Sequence, residues 1–415
     1  MKTLAFLLSL PGMALVVLAS TQAPQNDLAH PLVGVLGGSP LERLGVTTAD
    51  LRGAQANPSL RYAGLTKFLN QSRTVVTGSL DDSNTSVPRA IDALDAYGIK
   101  ATIAVSTQSG PIAQLWPRLR AAVEQGHEIG SHSRRHQCQW PDTATFCRSA
   151  YSQDEVEGSR DDILAQTDQK YVWTWVYPCG NCADQEFVHQ RLQRAGYLVA
   201  RNYPDERRGG HLVPDLQSWA ADPYNAAYTQ VVQKLGGVAP AGRTDLTLLN
   251  RKFDEVHAGP GAGGAAVGAT PSADGGIYQF MSHPAWIDFG PDQFFEKHLA
   301  HVGGRTDVWY VPLGPLYAYQ VVREQTVVTP LIAKDGWARF AVHNRLDPAV
   351  YDNAVTLAFV IPAAMKVVVR AGTRTIAEKV AGTTDRWNVE YFRRNGTTTL
   401  VTIRPNTIVY LQVTE

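Results

Sequence analysis

The sequence has little of what several functional classes require. Net charge is absent: 38 Lys and Arg are offset by 38 Asp and Glu in a chain of 415 residues. That balance excludes the basic stripe expected of a nucleic-acid binder, and no acidic block marks a solvated tail. Beyond the N-terminus there is no apolar run long enough to cross a bilayer, and no internal repeat. Cysteine is scarce, with four in all. What is present at the start is Met1-Lys2, an apolar stretch from Leu4 to Ala19, and then small and polar residues. This predicts a secretory signal peptide over 1–23, cut between Ala19 and Ala23 and nearer Ala19, with a retained anchor as the alternative. The mature chain is expected outside the cell or in the periplasm, with no transmembrane anchor left after cleavage. In such a compartment Cys138, Cys147, Cys179 and Cys182 are expected to form disulfides. Of three connectivities, Cys138–Cys147 with Cys179–Cys182 closes the shortest loops, and a four-thiolate zinc site is the alternative.

Residues 24–71 read as a mixed N-terminal extension, with short helices expected around Thr47–Ala54 and Ser59–Asn70. From Thr74 onward, β-branched runs alternate with amphipathic stretches. Strands are expected at Thr74–Ser79, Ala101–Ser106, Glu128–Gly130, Val172–Tyr177 and Tyr197–Arg201. Helices are expected at Val87–Tyr97, Ile112–Gln125, Glu155–Gln169 and Gln185–Ala195. This alternation predicts an α/β fold with a parallel sheet and crossover helices. The Gly-, Ala- and Pro-rich stretch Ala258–Gly276 reads as a loop. Strand signal returns at Ile277–Met281 and Val308–Val311, with a helix between them at Gln293–His301. Past Gln320 only short strands follow, with Asn395-Gly396 as a hairpin turn. Residues 326–415 are therefore expected to form a small β-sandwich behind a 72–325 barrel.

The chemistry-bearing residues fall at strand ends, the face on which (β/α) barrels build their sites. Asp82, His132 and His136 form a two-histidine, one-carboxylate set, enough to hold one divalent ion and leave a position open. Zinc is the first expectation, with cobalt, nickel or ferrous iron as alternatives. Such an ion would polarise a carbonyl and lower the pKa of a bound water. Asp81 is then the candidate base and His283 the candidate acid. Each fragment alone has a bland reading, as a turn, a chance His pair or a strand cap; their co-occurrence in this order favours a site. Ferrous oxygenases share the ligand set, but commonly on all-β barrels, and the alternating pattern here disagrees.

Ser79-Leu80-Asp81-Asp82, His132-Ser133-Arg134-Arg135-His136, Trp175-Val176-Tyr177-Pro178-Cys179-Gly180 and Met281-Ser282-His283 together resemble the motifs of the polysaccharide deacetylases, carbohydrate esterase family four. The resemblance covers residues 72–320, and its second motif is the most specific. It implies a deformed (β/α)7-type barrel, metal held by Asp82, His132 and His136, Asp81 as base and His283 as acid. It also implies an oxyanion donor in the backbone N–H of Cys179, and substrate contacts from Tyr177 and Trp219. The expected partner is an acetylated glycan, from which acetyl would be removed at nitrogen or oxygen. A non-catalytic carbohydrate-binding barrel and an amidohydrolase of a small non-sugar amide are the alternatives. The sequence departs from the family at Val176, where many members carry an Arg that contacts the catalytic Asp. Arg201, at the end of the next strand, is the candidate substitute. Trp219 and Asp222 are candidates for the group that tunes His283. Trp116, Trp140, Trp219 and Trp286 are either sugar platforms or core residues.

Overall fold

A computed structural model describes residues 35–51, 59–202, 219, 222–226, 230–232, 246–259, 275–379 and 386–415. The expected signal peptide and most of the Ala258–Gly276 stretch lie outside the described residues. In chain order the elements begin with two short helices, α1 (Pro40–Arg43) and α2 (Thr48–Leu51), and strand β1 (Arg61–Leu65). Then come β2 (Thr74–Asp81), α3 (Val87–Ala96), β3 (Ala101–Val105), α4 (Ile112–Gln125) and β4 (Glu128–Ser131). These are followed by α5 (Ala144–Ala150), α6 (Gln153–Gln166), β5 (Thr174–Val176), α7 (Glu186–Arg194), β6 (Val199–Arg201) and β7 (Gln230–Val231). The last helical part runs through α8 (Leu246–Ala258), β8 (Ile277–Ser282), α9 (Phe294–Val302), β9 (Val308–Tyr310) and α10 (Leu313–Gln325). Eight strands close the chain: β10 (Val327–Lys334), β11 (Trp337–His343), β12 (Val355–Val360), β13 (Lys366–Ala371), β14 (Arg374–Ile376), β15 (Tyr391–Asn395), β16 (Thr398–Ile403) and β17 (Thr407–Thr414).

Strands β2 to β9 form an eight-stranded sheet in the order β6-β5-β4-β3-β2-β8-β7, with β9 beside the start of β2. Every pairing in it is parallel. This is the parallel α/β sheet expected from the alternation of strands and helices, and with its helices it forms a half-barrel. The central strand β2 is buried along its whole length, as a strand covered on both faces must be. Gly78 on β2 leaves room for the ring of Phe280 on β8, which lies 2.6 Å from where a Cβ would stand. Helix α4 shows how sequence sets a boundary: Ile112, Leu115, Leu119 and Ala122 make its buried stripe, and Gly126 ends it at φ 96, a left-handed cap that favours glycine.

The C-terminal strands, joined by β1 from the N-terminal part, build two antiparallel sheets, β1-β12-β16-β15 and β10-β11-β17-β13-β14; two sheets are expected of the C-terminal segment, but without β1. Asn395 pairs with Thr398 across the expected hairpin, and Gly396 supplies its positive φ of 57. One expectation is corrected. Ser59–Asn70 is not a helix: Arg61–Leu65 is an extended strand, antiparallel to β12, followed by a 3-10 turn at Leu69–Gln71. Pairing with a strand nearly 300 positions later overrides local preference, and nothing in the segment itself announces that partner.

Candidate functional site

Asp81 is the last residue of β2, and Asp82 follows it. His132 follows β4, Arg201 ends β6, and His283 follows β8. Parallel strands share a direction, so these separate stretches meet at one edge of the sheet. The Nε2 atoms of His132 and His136 stand 3.1 Å apart. Asp82 Oδ1 lies 3.3 Å from His136 Nε2 and 3.6 Å from His132 Nε2. Ligand bonds of 2.0–2.1 Å in a tetrahedron give edges of about 3.3 Å, so the three atoms have the spacing of donors around one small cation.

Backbone and second contacts hold the donors in place. Asp82 (φ 76), Ser133 (φ 63) and His136 (φ 53) all adopt the left-handed region, which non-glycine residues occupy at a cost of about 1–3 kcal/mol where surroundings enforce it. The His-x-x-x-His segment is therefore a tight turn rather than a helix. Ser133 Oγ accepts the N–H of His136 at 2.9 Å. The buried carboxylate of Glu155 accepts the N–H groups of Arg134 and Arg135 at 2.9 and 3.0 Å. His132 Nδ1 donates to the carbonyl of Val176 at 2.9 Å, which leaves Nε2 as the free lone pair facing Asp82, the arrangement common in metal-bound histidines. Burial, with the neighbouring His136, lowers the His132 pKa to about 4, so the ring is neutral as a ligand must be.

Asp81 is differently placed. It is 1 % exposed, and its Oδ2 is paired with Arg201, which is wholly buried. Burial works to raise the carboxyl pKa, but the Arg201 guanidinium, with His132 and His283 nearby, outweighs it and holds Asp81 below the usual carboxylate range. Its other oxygen, Oδ1, is buried without a hydrogen-bond partner among the described residues. Arg201 thus occupies the place opened by Val176, reaching the carboxylate from the adjacent strand, since Val176 and Arg201 are register partners. His283 Nε2 lies 4.0 Å from Asp82 Oδ2, and its ring stacks on Trp286 at 4.6 Å. Burial lowers the His283 pKa, against the pull of Asp81 and Asp82.

The remaining candidates are located as follows. The Tyr177 hydroxyl donates to the Tyr224 carbonyl at 2.6 Å, so its polar tip is taken up within the fold. Trp219 packs edge-on against Phe68 and Tyr317, outside the group around Asp82. Asp222 caps a 3-10 turn by accepting from Tyr224 N, and lies 3.7 Å from His189. Trp140 and Trp286 are exposed. Trp116 sits on α4.

The disulfide pairing is a correction. Cys138 joins Cys179 and Cys147 joins Cys182, each with Cα atoms 5.9 Å apart. Loop length was the wrong criterion. Ser131 of β4 pairs with Trp175 of β5, so the loops leaving these neighbouring strands run side by side and meet each other's cysteines. With all four thiols bridged, the four-thiolate zinc alternative falls. Cys138 Sγ sits 3.6 Å from His136 Nδ1. Sequence reasoning missed the carbonyl of Val176, which carries no side-chain signal.

Residues 69–200 match the family model described as polysaccharide deacetylase. Similar solved structures include a proposed polysaccharide deacetylase from Mycobacterium smegmatis, 14 % identical, covering 62 % of this chain and 93 % of that one at a TM-score of 0.41. A family 4 carbohydrate esterase from Streptomyces lividans, solved with acetate, is 14 % identical over 56 % of this chain and 86 % of its own, with a TM-score of 0.32. A family 4 pseudoenzyme from Bacillus anthracis is 16 % identical over 57 % and 60 %, with a TM-score of 0.31. No curated protein matches the sequence. Among the described residues no helix is long and apolar enough to cross a membrane.

Proposed function

Taking the match of residues 69–200 to the polysaccharide deacetylase family as premise, we propose that this chain is a secreted, metal-dependent hydrolase that removes acetyl groups from an N- or O-acetylated glycan. Asp82, His132 and His136 hold one divalent ion, zinc before cobalt, nickel or iron. When bound, that ion supplies a Lewis acid to polarise the acetyl carbonyl and acidify water. The observation that carries the reading is the division of labour in Asp81. Its Oδ2 is fixed by Arg201, while Oδ1 is buried without a partner among the described residues, beside the donor cluster. A carboxylate kept ionised and pre-aimed in this way is suited to take the proton of the attacking water. His283, on the other flank and stacked on Trp286, hands a proton to the leaving nitrogen or oxygen. The Cys179 N–H is assigned here as the donor to the developing oxyanion. Residues 72–325 carry this chemistry, and 326–415 form an accessory β-sandwich.

Acetate release from chitin oligomers, peptidoglycan, acetylated xylan and bacterial exopolysaccharides, with and without chelator, tests the reading. Chelator-sensitive release from at least one is expected; release from none, by protein shown to hold metal, overturns it. Asp82→Ala and His132→Ala are expected to lose the metal, and full occupancy by metal analysis would refute the ligand set.

A further inference from the structure

The two proposed histidine ligands are not supported alike. His132 Nδ1 donates to the Val176 carbonyl at 2.9 Å, so its ring is fixed by the backbone of a buried strand. His136 has a different neighbour. With its Nε2 turned toward Asp82 and His132, a neutral ring carries its proton on Nδ1. The group beside that atom, among the described residues, is the Cys138 sulfur at 3.6 Å. A metal-ligating histidine is ordinarily oriented by an oxygen at its second nitrogen, and loss of that partner typically weakens metal binding about 10–100-fold. Here a sulfur, a weak acceptor, stands in that place.

A weak acceptor on a loose residue would orient little, but this one is tied down. Cys138 is exposed, and its bond to Cys179 leads into the 3-10 turn Pro178–Gly180, whose Pro178 and Gly180 are buried. Tyr177, just ahead of that turn, is wholly buried. The bridge therefore anchors a solvent-facing sulfur to the same stretch that presents the Val176 carbonyl, so the chain leaving β5 orients both rings. The backbone agrees: His136 (φ 53) and Cys179 (φ 54) are both left-handed, a conformation that persists where surroundings over-determine it. Ser133 Oγ and Glu155 also hold this segment, through the His136 N–H and the Gln137 amide, but neither of those bonds reaches the His136 ring. The other bridge is of another kind. Cys147 and Cys182 are 1 % and 0 % exposed, and the N–H of Cys182 donates to Asp142 at 2.7 Å.

We propose that the Cys138–Cys179 bridge is the positioning group of His136. It holds a sulfur against Nδ1 and so aims Nε2 at the ion, and it fixes the turn whose Cys179 N–H is assigned to the oxyanion. The inference rests on the ligand set proposed above, and it leaves Cys147–Cys182 as a staple of the fold alone.

Zinc affinity of the full chain, read by competition with a chromogenic chelator, and the visible spectrum of the cobalt-loaded chain test this. Cys138→Ala/Cys179→Ala is expected to bind zinc about 10–100-fold more weakly and to change the cobalt band, which follows ligand geometry. Cys147→Ala/Cys182→Ala is the matched control. The two bridges span 41 and 35 positions, so their loss frees nearly the same unfolded-chain entropy, yet the control is expected to keep the parent's affinity and spectrum. Thermal melting checks folding; should the first variant fail, Cys138→Ser/Cys179→Ser decides, and if neither folds the bridge is a structural staple and the proposal falls. Parental affinity and spectrum without the bridge overturn it and leave the ligand set standing, as does an equal loss in both variants. A parent chain that holds no zinc overturns the ligand set, and the proposal with it.

Discussion

Arg201 is where residue-scale physics is most exposed. A fully buried guanidinium is tolerated because a buried carboxylate faces it, and breaking such a pair typically costs about 3–5 kcal/mol. Arg201→Met should therefore melt earlier and also change the chemistry. Without the guanidinium, burial dominates Asp81, its pKa rises, and the acidic limb of the pH–rate profile moves to higher pH while the basic limb stays. An unmoved acidic limb would mean that Asp81 is not the titrating base. Asp81→Asn should keep its metal and lose acetate release by about a hundredfold or more, the lower range for a general base; unchanged turnover would remove Asp81 from the mechanism. His298 gives a stability prediction. It is buried against Tyr278 and Asn250, and burial lowers its pKa to about 3, below the ordinary value of about 6.5. Its folded-state pKa is depressed, so its contribution is complete above about pH 6.5 and is lost as pH falls toward 3. The slope is at most about 1.4 kcal/mol per pH unit from this one group. His298→Gln should flatten that part of a melting-temperature-against-pH curve relative to the parent; parallel curves would show that the ring already titrates normally.

At the scale of elements, β2 and β8 carry Asp81, Asp82 and His283 between them and are register partners from Val75–Ile277 to Leu80–Ser282. Gly78→Ala would drive a methyl group into Phe280, an overpacking that costs about 1–3 kcal/mol. Lower urea midpoints with an unchanged slope are expected, and a midpoint equal to the parent's would show that the Phe280 ring gives way freely. The alternating part of the chain is the most legible. Helix Ile112–Gln125 matches its predicted bounds, because a strong period and a glycine cap mark it. Helices α1, α5, α8 and α10 and strands β7, β10 and β14 went unseen. Helix α10 is buried on many sides, from Leu313 through Tyr319, so its residues show no polar face from which a 3.6-residue period could be read. The proposed metal donors Asp82, His132 and His136 were legible as spacing, whereas the left-handed turn that converges them, the Val176 carbonyl and the crossed disulfides depend on which strands lie side by side.

At the scale of the molecule, the N-terminal strand β1 and the late strand β12 share a sheet, and the Tyr319 hydroxyl and Arg323 Nε of α10 both donate to the Thr66 carbonyl just after β1. A chain ending at residue 325 would expose that strand's edge and the buried faces above it. It is expected to aggregate or to lose a cooperative melt, measured by calorimetry; a soluble, cooperatively melting fragment that releases acetate would make the sandwich dispensable. The crossed bridges have a consequence of their own. Because 138 is tied to 179 and 147 to 182, a single protease clip anywhere from 139 to 178 yields two polypeptides that still travel as one covalent particle. Such a nicked protein would run as a full-sized band on a non-reducing gel and fall into two pieces only when a thiol is added.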